Sequence, residues 1–139
     1  MTVLAVDTSA IVALLKGEPT WEQLATCLQG ASSRFLSAAS WVELSLVTAG
    51  RDGNQATLEA LDHFLQTIAI DVYPIDQTQA QIARMAFLRF GKGRHPAGLN
   101  FGDCFSYALA RILDAPLLFI GYGFSQTDVR DAMAVSPTF

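Results

Sequence analysis

A chain of 139 residues that is 51% hydrophobic and 16% charged is too apolar for a disordered segment, and it predicts one domain, residues 1–139, around a real core. A formal net charge of −4 argues against a simple nucleic-acid binder, which is usually basic. Two cysteines, Cys27 and Cys104, form neither a disulfide framework nor a metal-type spacing, so a reduced, cytoplasmic compartment is expected.

The apolar N-terminus carries no basic leader and is interrupted by Asp7, so no signal peptide is read there. No uninterrupted apolar run is long enough to cross a bilayer. The apolar excess predicts that a partner covers part of the surface.

In chain order, Thr2 to Val6 reads as a buried strand, and a helix from Ser9 to Lys16 is stopped by Gly17. Pro19 and Thr20 open a second helix with Trp21, Leu24, Ala25 and Leu28 on one face. Arg34 to Ser37 is a second strand, and Ala38 to Ala49 a strongly apolar helix. Asn54 caps a helix striped by Leu58, Leu61, Phe64, Leu65 and Ile68. Ile70 to Tyr73 is a third strand closed by Pro74. Asp76 or Thr78 opens a helix through Phe90, with Ile82, Ala83, Ala86 and Phe87 inward.

Gly91 to Asn100 holds three glycines and a proline and reads as a loop. Phe101 to Leu113 returns to helix, with Phe105, Ala108, Leu109 and Ile112 as its core face. Leu117 to Ile120 is a fourth strand, and a last short strand is expected near Ala134–Val135. Strands alternating with helices predict an α/β fold: a parallel sheet with helices on both faces.

Three carboxylates stand alone inside apolar runs: Asp7 after the first strand, Glu43 in Trp41-Val42-Glu43-Leu44, and Asp103 in Phe101-Gly102-Asp103-Cys104-Phe105. Acids are rarely buried unless paired or metal-bound. Each has a structural alternative. Asp7 can accept the first backbone N–H groups of its helix. Ser40-Trp41-Val42-Glu43 fits a capping box. Asp103 suits a first helical turn. Taken together, three acids on separate elements point to convergence. Carboxylates without His or Cys ligands suit a hard cation, Mg²⁺ or Mn²⁺. Two such ions ~3.5–4 Å apart serve phosphodiester hydrolysis.

The motifs resemble a PIN domain, and within that family the toxin component of VapBC toxin–antitoxin pairs. The matching pieces are Leu4-Ala5-Val6-Asp7-Thr8-Ser9-Ala10, Ser37-Ala38-Ala39-Ser40-Trp41-Val42-Glu43, the run from Gly91 to Ala108, Leu117-Leu118-Phe119, and Phe124-Ser125-Gln126-Thr127-Asp128. The resemblance implies a PIN-like three-layer α/β/α sandwich with a mostly parallel, twisted sheet of four to five strands. It implies a divalent-metal-dependent endoribonuclease acting on structured RNA such as tRNA. Asp7, Glu43 and Asp103 would be its site acids, Asp7 and Asp103 its metal ligands, and Thr8 or Ser9 an assisting hydroxyl. It also implies a homodimer and a VapB-type antitoxin that inserts an Arg or Lys among the acids.

One departure stands out. The family places a further Asp before the Phe that follows the fourth strand, and here that slot holds Gly123. Asp128 matches another family acid, with an ordinary helix-start charge beside Thr127 as its alternative reading. One tight ion at most is therefore expected, and a non-catalytic, antitoxin-binding protein stays open as a second reading. A phosphatase of the haloacid dehalogenase type fits less well, because Asp7-Thr8-Ser9 lacks a second Asp two residues on.

Four of the nine basic residues, Arg84, Arg89, Lys92 and Arg94, precede Asp103 in one window with His95. They read either as a solvated face or as a phosphate-binding patch, with Lys92 and Arg94 the better RNA-binding candidates. His95 reads as a bystander and Cys104 as a buried, inert thiol.

Overall fold

The computed structural model describes residues 2–134. Among them, six α-helices and four strands follow in the order β1 (Val3–Val6), α1 (Thr8–Lys16), α2 (Trp21–Gly30), β2 (Ser33–Ser37), α3 (Ala38–Ala49), α4 (Gln55–Thr67), β3 (Ile70–Tyr73), α5 (Gln77–Phe90), α6 (Phe101–Leu113) and β4 (Leu117–Leu118). A short 3-10 turn, Phe124–Gln126, closes the series.

The sheet is parallel throughout, in the order β3-β2-β1-β4. Alternation along β1 divides the core. Leu4 and Val6 face a cluster built with Ile11, Leu24, Leu44, Leu61 and Leu65 from α1 to α4. Ala5 faces the other layer, where Ala83, Ala86 and Phe90 of α5 meet Ala108 and Leu109 of α6. The result is the expected three-layer α/β/α sandwich.

Local chemistry sets the boundaries. The Asp7 side chain caps α1, and Gly17, in the left-handed region at φ 62°, ends it. Asn54 and Thr57 cap α4 reciprocally. Asp76, rather than Thr78, caps α5 through the Gln79 N–H.

Four expectations are corrected. The capping box at Ser40 does not form, because α3 starts three residues earlier, with Ser37 as its cap. β4 is two residues long: beyond Leu118 the chain turns off, and the Ile120 N–H donates to Ser9 Oγ at 3.0 Å. Phe87 and Ile112 are solvent-exposed rather than inward. Near the C-terminus Ala134 sits in a turn and Val135 lies outside the described residues; the bridge to the sheet falls at Asp131, opposite Leu117.

Candidate active site

The chain runs β1, β2, β3 outward on one side of β1 and places β4 on the other. The strand order therefore reverses at β1. In open α/β sheets such a switch point opens a crevice at the carboxyl ends of the strands. Asp7 stands there, directly after Val6, with its N–H bonded to the Leu118 carbonyl at 2.9 Å.

Asp7 is only 4% exposed, yet both carboxylate oxygens are satisfied. Oδ2 accepts the Ser9 N–H at 3.0 Å and the Ser9 hydroxyl at 2.6 Å. Oδ1 accepts the Ser106 hydroxyl at 2.5 Å. The helix-capping reading of Asp7 thus holds, and a hydroxyl of α6 reaches the same carboxylate from 99 residues away.

Asp103 sits in the first turn of α6. Its Oδ2 accepts the Asn100 N–H at 3.0 Å, while its own N–H donates to Asn100 Oδ1 at 2.9 Å. Burial pushes the Asp103 carboxyl up to about 6; the Asn100 N–H pulls against this, and the charges of Asp7 and Glu43 add to the rise. The three acids therefore share one electrostatic field.

Glu43 enters from α3. A Cβ on Gly102 would lie 2.5 Å from Glu43 Oε2. The missing side chain at 102 is what lets the Glu43 carboxylate lie against α6 beside Asp103. Among the described residues no hydrogen bond and no ion pair engages the Glu43 carboxylate.

Other candidates are placed differently. The Thr8 hydroxyl donates to the Ser40 carbonyl at 3.3 Å and not to an acid. Asp128 is not gathered with the three acids. It accepts the Tyr107 hydroxyl at 2.7 Å and pairs with Arg89 and Arg111 at 3.3 Å each. Burial and that bond to Asp128 push the Tyr107 phenol up to about 12. Arg89 is consequently occupied. Lys92 and Arg94 stay exposed on the loop ahead of α6, with the Arg94 guanidinium 5.8 Å from the Phe87 ring centroid.

His95 is structural: its Nδ1 accepts the Ala97 N–H at 3.0 Å, and its ring meets Phe90 edge-on. Burial pushes the Cys104 thiol up to about 11, as expected of an inert cysteine. Gly123 lies under the loop, where a Cβ would stand 2.7 Å from the Ala97 carbonyl oxygen. The sequence reading missed Ser106 and Ser40, whose hydroxyls lie 3.2 Å apart behind Asp7. Their signal was available: Ser106 is polar inside the apolar run Cys104 to Ala110.

Among the described residues no three His, Cys, Asp or Glu stand close enough to enclose an ion unaided. The donors that approach one another are all carboxylate oxygens, and both of those on Glu43 lack a hydrogen-bond partner among the described residues. Such a set fits a hard cation that keeps much of its water, as Mg²⁺ does.

Acids without a basic partner at the switch point of a parallel sheet define an acidic α/β site. A family model for the PIN domain matches residues 4–129, and the chain belongs to that family. It is 44% identical over 126 residues to Ribonuclease VapC30 of Mycobacterium tuberculosis, covering 91% of this chain and 95% of that one. It is 45% identical over 126 residues to Ribonuclease VapC of Mycolicibacterium smegmatis, covering 91% and 97%. VapBC-1 from nontypeable Haemophilus influenzae shares the fold at a TM-score of 0.75 and 17% identity, over 94% of this chain and 98% of that one.

Proposed function

We propose that the chain is a single PIN domain, residues 1–139, acting in the cytoplasm as a divalent-metal-dependent endoribonuclease toxin of the VapBC type. The observation that carries this reading is the cluster itself: the charges of Asp7 and Glu43 act on the Asp103 carboxyl, and among the described residues none of the three acids joins an ion pair. A fold that leaves such a cluster uncompensated has room for an external cation. The relatives named as ribonucleases support RNA as the substrate.

Asp7 and Asp103 would hold Mg²⁺ or Mn²⁺, and Glu43 would complete the site. When bound, the ion supplies charge neutralisation at the scissile phosphate and a water of lowered pKa. Asp7, fixed by its hydrogen bonds, sets the orientation of the site. The free Glu43 carboxylate orients the attacking water and accepts its proton at an Oε atom. Lys92 and Arg94 bind backbone phosphates on the loop that leads into Asp103. Ser9 orients Asp7 and does no chemistry of its own.

The partners follow from the same features. Val42, Leu46 and Val47 leave an exposed apolar face on α3, the helix that carries Glu43. That face suits a VapB-type antitoxin, which would set a cation of its own among the acids. Exposed Met85, Leu88 and Ile112 on α5 and α6 suit a homodimer contact.

A second reading, a PIN protein that binds antitoxin without cleaving, is favoured by Gly123 and by the net charge of −4. The test is cleavage of a labelled RNA pool that includes tRNA, with Mg²⁺ or Mn²⁺, beside an EDTA control and Asp103→Asn. Metal-dependent cleavage that Asp103→Asn abolishes is the expected result. A wild type indistinguishable from both controls refutes the enzyme and leaves the binding protein.

A further inference from the structure

Behind the acids runs a line of hydroxyls that the family assignment leaves unexplained. Ser106 and Ser40 are both fully buried, at 0% exposure. Ser106 donates to Asp7 Oδ1, 99 residues away in sequence. A serine has one proton to give, and a carboxylate has none. In the 3.2 Å contact between the two serines, Ser40 is therefore the donor. The Ser40 carbonyl in turn accepts the Thr8 hydroxyl. Ser40 thus donates to Ser106 and Ser106 to Asp7, a chain in which each bond strengthens the next.

The spacing matters as much as the bonds. Ser40 lies three residues before Glu43 on α3, and Ser106 three residues after Asp103 on α6. Residues three apart share a helix face. Each serine thus stands one turn from the acid of its own helix, and the contact between them fixes how closely the two helices approach. On the other side of Asp7, the Ser9 hydroxyl ties Oδ2 to the end of β4 through the Ile120 N–H.

We propose that Ser106 is a positioning residue of the acid site. Its hydroxyl fixes the plane of the Asp7 carboxylate. Through Ser40 it also ties α3, which carries Glu43, to α6, which carries Asp103. The inference rests on the metal-site reading above. It differs from that reading in assigning a role to a residue that touches neither ion nor substrate.

The experiment measures Mn²⁺ binding directly, by electron paramagnetic resonance of the free ion, on wild type, Ser106→Ala and Ser40→Ala, with a thermal melt of each metal-free protein. Partners that orient metal ligands typically account for ~10–100-fold in affinity. Ser106→Ala is expected to weaken Mn²⁺ binding by about tenfold or more. Ser40→Ala, which leaves the bond to Asp7 intact, is expected to weaken it by less, roughly threefold. In cleavage assays at saturating RNA, kcat falls with Ser106→Ala while KM stays, because no phosphate contact is lost.

Two results would overturn the proposal. If Ser106→Ala melts lower yet binds Mn²⁺ like the wild type, the serine is a packing residue only. The two variants could instead weaken Mn²⁺ equally and in step with their melting temperatures, which makes the effect one of stability. A wild type that binds no Mn²⁺ is a different failure: it removes the metal site, and the positioning role falls with it.

Discussion

Two acidic regions of this molecule are built on opposite terms. Asp128 is met by two guanidinium groups and a phenol, at 3.3, 3.3 and 2.7 Å. Asp7, Glu43 and Asp103 are met by hydroxyls, backbone N–H groups and one another, and none joins an ion pair among the described residues. The chain evidently can place arginines around a carboxylate. Arg89 and Arg111 come from α5 and α6, the second of which also carries Asp103. The cluster left without them is the one to which the proposed function assigns a cation from outside.

The sharpest way to break this contrast is to neutralise one acid of each kind. Glu43→Gln keeps the shape beside Gly102 and removes the charge. It should cut RNA cleavage by on the order of a hundredfold or more, while leaving the melting temperature equal to or above that of the wild type. Asp128→Asn should leave cleavage within about threefold, because it lies outside the field acting on Asp103. Parallel initial-rate assays at fixed Mn²⁺ decide the matter. Equal losses in both variants would return Asp128 to the site.

Next in size is the slot at Gly123. An added Cβ there would lie 2.7 Å from the Ala97 carbonyl oxygen, which belongs to the backbone of the loop ahead of α6. Either the loop or the turn must move. Gly123→Asp should therefore lower stability by about 2 kcal/mol, the usual scale of overpacking, and gain no activity. Urea unfolding and the same cleavage assay test both halves. A Gly123→Asp variant that is fully stable and faster would show that the loop yields readily and that the family's fourth acid is simply missing.

Asp128 also gives a stability prediction. Its pairs with Arg89 and Arg111 are largely exposed, so each contributes little. Its bond to the Tyr107 hydroxyl is partly buried. Asp128→Asn should cost about 1 kcal/mol, and added salt should shrink the difference between wild type and variant. A salt-independent loss would locate the effect in the tyrosine bond alone.

The two regions were unequally legible in the sequence. Asp7, Glu43 and Asp103 stood out because a charge amid apolar neighbours demands an explanation wherever the chain folds. Asp128 lies beside Thr127 in a polar stretch, and its arginines are 39 and 17 residues away, so nothing local announced the pairing. Ser106 and Ser40 are less conspicuous, because serine is cheap to bury and is common at helix ends, so a hydroxyl inside an apolar run signals far less than a carboxylate there. Elements were readable wherever caps and periodicity agreed, as at Asn54 and Gly17. They were misread where one helix face had two claimants. Phe87 and Ile112 fit the inward stripe by spacing, but Ala83, Ala86 and Leu109 fill that layer, and the larger side chains are left outside.

The smallest expected effect is also the most direct probe of the uncompensated charge. In the metal-free protein the Asp103 carboxyl titrates near 6, above its ordinary value of 3.8. A raised pKa means that the folded state holds the proton more tightly than the unfolded state. The stability this brings is fully present below about pH 4 and is lost as pH rises through about 6. Asp103→Asn carries no such proton, so it should melt with the wild type near pH 4 and above it at pH 7. Discounted for partial exposure, the gap at pH 7 is about 1 kcal/mol, or roughly 3 °C. Saturating Mn²⁺ should then reverse the order, raising the melting temperature of the wild type and not that of the variant. Two parallel melting curves across the pH range would mean that Asp103 is already compensated within the fold, and the cluster would lose its claim on an outside cation.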